Sequence, residues 1–218
     1  IRLTRHYSWE RSWVALLVLV WWCYRPLRGT IINDFHPVSL AIPVLLWASV
    51  FLFEQRRLAC AATLAVGLAC KETFGIYTFV FGVYALTRGH KSIGFGACLL
   101  GPAVYWVLTR QVIPHFGTGF VYTDRYPLLA GPWSEIAIRF FQGEFVTQSL
   151  GSLQNIKYIL FMLGPFCFLP LLSWRETMLL APFFAQNLLS TFTSQQKVGS
   201  HYSAEGTALI LIATVIVL

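Results

Sequence analysis

The chain repeats one unit: an apolar run closed by a few charged or polar residues. The runs are Ser12 to Tyr24, Pro37 to Phe53, Leu58 to Cys70, Thr73 to Leu86, Ile93 to Leu108, Ile159 to Leu172, Met178 to Phe192 and Ala208 to Leu218. Crossing a hydrocarbon core of about 30 Å takes roughly 20 apolar residues as a helix, and these runs approach that scale. Charged residues make up only 11% of the 218 and mean hydropathy is +0.63, whereas soluble domains carry about 25% charge. The expectation is therefore an all-α fold, a polytopic transmembrane helical bundle forming a single domain over residues 1–218. The chain opens on Ile1 rather than Met and closes on Leu218 within an apolar run, so it reads as a fragment truncated at both ends.

The net charge of +7 does not indicate nucleic acid. Lys and Arg fall in ones and twos between apolar runs, not in a basic stripe. Five cysteines, Cys23, Cys60, Cys70, Cys98 and Cys167, sit inside apolar runs without C-x-x-C spacing, which argues against a disulfide framework or a zinc site. No G-x-x-x-x-G-K-S/T, H-E-x-x-H or G-x-S-x-G motif occurs. No cofactor is expected, no metal ligands are assigned, and the need for a divalent metal stays open at this point.

Residues 114–158 form the longest polar stretch and are read as an outer loop. Within it Trp133, Ile136, Phe140 and Phe141 recur at helical spacing, as in a helix lying on a membrane surface. The positive-inside rule, with the EQRR loop (Glu54 to Arg57) taken as cytoplasmic, puts the N-terminal Arg2, Arg5 and Arg11, the RGHK loop and the tight turn SWRE (Ser173 to Glu176) on that side. Alternation then collects Asp34, His36, Lys71, Glu72, Arg110, His115, Asp124, Arg125, Lys197, His201 and Glu205 on the opposite, extracytoplasmic face.

The Lys71-Glu72 pair stands between two apolar runs. Thirteen residues from Leu58 to Cys70 rise only about 20 Å as a helix, so the pair sits near or below the outer surface, where ionisable groups are costly and functional by default. The bland alternative is a polar hairpin turn with Lys71 snorkelling to the interface. In NDFHP, Pro37 suits a helix start and Asp34 could cap it, while His36 could bind a phosphate or a sugar hydroxyl or be an ordinary interfacial side chain. YTDRYP sets Asp124 and Arg125 between tyrosines, and HYSAE brings His201 and Tyr202 to another mouth, where histidine can meet an anionic group. The candidate binding residues are thus Asp34, His36, Lys71, Glu72, Asp124, Arg125, His201 and Tyr202.

Taken in order, DFHPVSLAIP, ACKETFGIY, GPFCFLPLLS, LLAPFFAQNLLS and SHYSA resemble the bacterial and archaeal predicted membrane proteins grouped as domain of unknown function 2079, over about Trp9 to Leu218. By similarity that family stands among the GT-C type glycosyltransferases, polytopic enzymes that take a sugar from a polyprenyl-phosphate carrier on the outer face of the membrane. The resemblance implies a GT-C-like bundle in the cell membrane, the lipid bilayer and a polyprenyl-phosphate sugar donor as partners, and possible glycosyltransferase activity. In the superfamily a Lys after a short helix, in a pattern like L-x-x-K, recurs near the carrier phosphate, and Cys70-Lys71-Glu72 occupies that place. The superfamily's usual carboxylate in the first outer loop and the family's early Asp-Leu-Gly segment have no counterpart here, so the general base is expected upstream of residue 1. The alternatives from other classes are a transporter or flippase, whose path would need polar residues such as Gln186 and Asn187 at mid-depth in several helices, and a catalytically silent membrane protein.

Overall fold

The computed structural model describes residues 10–32, 36–117 and 124–218. Arg2, Arg5, Asp34, Tyr122 and Thr123, which the sequence singled out, lie outside them. Among the described residues every regular element is helical.

Helix α1, Arg11–Cys23, ends where Tyr24 turns extended, and α2, Arg25–Ile32, leaves at 51° to it. Pro26 explains the bend, because it has no N–H to continue the ladder and its ring crowds the carbonyl four residues back. A 3-10 turn at Pro37–Leu40 leads into α3, Ala41–Phe53. Then α4, Arg57–Cys70, ends at Lys71, whose backbone is extended at φ −161° and ψ 140°. Helix α5, Phe74–Thr87, is followed by α6, Lys91–Val107, which continues through a π turn at Leu108–Val112 to Phe116. The π turn falls where Pro114 cannot donate to the carbonyl four residues back. The remaining helices are α7, Trp133–Phe141, α8, Glu144–Leu150, α9, Leu153–Leu163, α10, Trp174–Leu188, and α11, Ala204–Val217.

Two expectations need correction. Ile159 to Leu172 is not one run: α9 stops at Leu163, and two 3-10 turns follow, separated by Cys167 and Phe168 in left-handed conformation. Pro165 and Pro170 remove the donors that a continuous helix would need. Ser173 to Glu176 is not a tight exposed turn, since Trp174 to Glu176 form the first turn of α10 and Glu176 is fully buried. The last apolar run lies inside α11, where all residues from Ala204 to Ile216 except Leu211 are buried. A helix apolar on every side belongs in the centre of a bundle, and α11 occupies that place, packed on α3 and α10.

Length separates the helices. Lys91–Phe116 is long and apolar enough to cross a membrane, and the bent pair Ser12–Cys23 and Arg25–Ile32 also qualifies if taken as one span. Pro37–Phe53, Arg57–Cys70, Phe74–Thr87 and His201–Val217 are apolar but shorter, at most about 26 Å long at 1.5 Å per residue.

The α5–α6 contact is made by glycines spaced seven apart on both helices. A Cβ at Gly82 would lie 2.7 Å from the Cys98 amide nitrogen, and one at Gly101 would lie 2.4 Å from the Gly75 carbonyl oxygen. Small residues let backbones touch in this way, a device suited to helices without a hydrophobic drive between them. Gly82→Leu should therefore cost about 1–3 kcal/mol through overpacking, read as a lower unfolding temperature in detergent, whereas the same change at Gly96, where nothing lies within 4 Å, should not. Equal effects at both positions would contradict this packing.

Candidate functional site

Lys71 cannot join either neighbouring helix, and its extended backbone directs the side chain inward from the α4–α5 turn. There its ammonium lies 3.5 Å from Glu205 Oε1 in the first turn of α11, with the lysine side chain 20% exposed and the glutamate 2%. Burial opposes the charge on Lys71, but the Glu205 and Glu72 carboxylates outweigh it and hold the pKa above the usual lysine value. Lys71 is a fixed cation at neutral pH. Its ammonium also stands 5.9 Å from the centre of the Tyr202 ring.

The two mouth histidines meet. His36 precedes Pro37, which favours extended backbone in the residue before it, and φ −111°, ψ 137° is what His36 adopts. The loop carrying His201 is brought in by glycines: a Cβ at Gly29 of α2 would lie 2.2 Å from the Gly199 Cα, and Gly199 itself takes φ +92°, a value that side chains disfavour. The imidazoles of His36 and His201 stack with centres 3.9 Å apart and planes at 26°, and His201 is 4.1 Å from the Tyr202 ring. Burial, then His36 and Lys71, lower the His201 pKa, so that it is neutral at pH 7.

On the facing side, the Arg125 carbonyl accepts a hydrogen bond from the Thr191 amide at 2.8 Å, and the Arg125 guanidinium covers the Phe192 ring at 4.3 Å. The neighbouring Tyr126 hydroxyl donates to the Gln186 carbonyl at 3.1 Å and accepts from Gln195 Nε2 at 3.2 Å, while the Tyr77 hydroxyl donates to Gln186 Oε1 at 3.1 Å.

These groups surround one cavity of about 1160 Å³. His36, Lys71, Glu72, Asp124, Arg125, His201 and Tyr202, seven of the eight residues proposed from the sequence, line it together. The eighth, Asp34, lies outside the described residues. The wall adds Tyr105 from α6 and Arg110 from its extension, the amides Gln186 and Gln195, and an apolar side that includes Val38, Ile76, Ala185 and Leu189. A mixed wall of this kind suits a ligand with a charged head and an apolar part. Among the described residues no group of three or more His, Cys, Asp or Glu side chains could hold a metal ion.

Sequence reasoning missed the roles of Glu205, Tyr126, Gln186 and Gln195. Alternation collects Glu205 with Lys71, but the sequence gives it no visible partner, because Lys71 stands 134 positions away. The snorkelling alternative for Lys71 is replaced by this ion pair.

The fold and site define a class: helical proteins with a charged cavity lined from several helices and loops. The chain belongs to the family described as predicted membrane protein, DUF2079, whose model matches residues 2–218. No curated protein and no solved structure matches it.

Breaking a buried pair from one side leaves an uncompensated charge. Glu205→Ala should destabilise by about 3 kcal/mol, and Lys71→Met combined with Glu205→Ala should recover part of that loss in a double-mutant cycle followed by unfolding in detergent. Strict additivity of the two single changes would show that the pair is not coupled.

Proposed function

We propose that the protein is a multi-pass membrane glycosyltransferase of the GT-C type that uses a polyprenyl-phosphate-linked sugar, with its cavity on the extracytoplasmic face. The observation that supports this reading is the gathering of Lys71, Arg110, Arg125 and two histidines on a cavity that also has an apolar wall. An isoprenoid phosphate has the same two parts, an anionic head and an apolar chain.

In this reading Lys71 and Arg125 sit beside the carrier phosphate. Positive charge fixed in advance where negative charge grows, as the sugar leaves its carrier, stabilises the transition state without reorganisation at the moment of reaction. Glu205 keeps the Lys71 ammonium in place, and the His36–His201 stack supplies a further donor. Glu72 and Asp124 orient sugar hydroxyls or the cations, and the activation of an acceptor hydroxyl calls for a carboxylate as general base.

The test is sugar transfer by the full-length protein in membranes, with a polyprenyl-phosphate sugar as donor. Lys71→Ala and His201→Ala should each lower turnover by about 10²-fold, the scale on which one preorganised donor acts. Transfer at the unaltered rate in both variants would overturn the assignment.

A further inference from the structure

Helix α7 is amphipathic, and its arginine is turned to the protein. On that side Arg139 Nη1 donates to the carbonyls of Pro127, Leu128 and Ala130, at 3.2, 3.3 and 2.7 Å, and Arg139 Nη2 pairs with Glu135 at 3.1 Å. On the other side Trp133 is 86% exposed, Phe140 64% and Phe141 86%. A surface helix in water shows the reverse arrangement, apolar side in and charge out. Here the one cation of the helix is spent on loop carbonyls, while Trp133 and Phe141 stay open and Phe140, whose ring meets Phe145 edge-on at 5.9 Å, keeps most of its surface exposed.

We propose that the open side of α7 is seated in the interfacial layer of a lipid bilayer, with Trp133, Phe140 and Phe141 inserted between headgroups and acyl chains. Three observations favour lipid over a protein partner. The chain belongs to a family of membrane proteins. The exposed apolar surface does not end with α7 but continues through Val146 and Leu150 of α8 to Leu153, Leu160 and Phe161 of α9. The exposed residues of α7 include Trp and Phe beside a polar edge, the composition of a helix lying in the membrane plane.

The placement has a consequence for the cavity. Trp133 and the segment that Arg139 holds, including Pro127 and Ala130, are part of the cavity wall. With α7 in the interface, the cavity mouth stands at headgroup depth, and a lipid's polar head reaches Lys71 and Arg125 from within the leaflet without passing through bulk water. The proposal concerns where the helix lies and does not rest on the sugar-transfer reading, since it needs no substrate.

The experiment places benzoylphenylalanine at position 141 or at position 142 of the full-length protein, reconstituted in vesicles of phosphatidylethanolamine and phosphatidylglycerol. Both positions are exposed, so neither change disturbs the core, and Gln142 lies toward the polar side of the helix. Irradiation followed by mass spectrometry should give about tenfold more phospholipid adduct from position 141 than from 142, because an inserted face meets the acyl boundary. Equal yields from the two positions, or adducts from 141 predominantly to another protein or a second copy of the chain, would overturn the proposal.

Discussion

The rest of the structure depends on how α5 is tied down. Its sequence is apolar from Phe74 to Leu86, and nothing in such a helix specifies how far it slides against its neighbours. Charge at the two ends does. Lys71, just ahead of α5, pairs with Glu205 of α11, and Arg88, just after it, pairs with Glu176 of α10, a contact to which the Tyr84 hydroxyl adds a hydrogen bond at 3.1 Å. An apolar surface is tolerant of position, but a buried carboxylate must meet its cation. In a chain with only 11% charged residues, these two pairs set register at opposite ends of the bundle.

The two ends then differ in what the pair leaves over. Near Arg88 the glutamate is sealed, and Tyr84 of α5 is buried beside it. Both cations keep a similar part of the side chain open, 20% for Lys71 and 24% for Arg88, but the Lys71 end faces the cavity. The same ion pair that fixes α5 therefore also holds a cation at a site. The glycine contacts serve both purposes. Gly75 and Gly82 let α6 lie close enough to bring Tyr105, and Arg110 of its extension, to the cavity, and Gly29 against Gly199 lets His201 reach His36.

Helical class and much of the segmentation were legible in the sequence, because apolar runs broken by Lys71-Glu72 or by EQRR have few other ways to fold. The grouping of His36, Lys71, Asp124 and His201 was legible for a topological reason: alternation of runs puts every second loop at the same end. What could not be read are facts of distance rather than of local pattern. Glu176 reads as a loop acid because only Arg88, far along the chain, buries it. The Tyr126–Gln186–Gln195 network joins a loop, a helix and a 3-10 turn, none of which marks the others in sequence. Ile159 to Leu172 was misread because its composition is that of a span, and the information lay in Pro165 and Pro170 alone.

In the proposed reading the Lys71 ammonium, held by Glu205, makes this cavity a receptor for the phosphate of a lipid. The direct measurement is equilibrium binding of a short-chain polyprenyl phosphate to the full-length protein in nanodiscs. The account predicts saturable binding that weakens about tenfold in Lys71→Gln, the loss of roughly one charge-assisted hydrogen bond, and is unchanged in Lys157→Gln, a lysine exposed on α9 away from the cavity. No saturable binding by the unaltered protein, or the same affinity with and without the Lys71 ammonium, would contradict it.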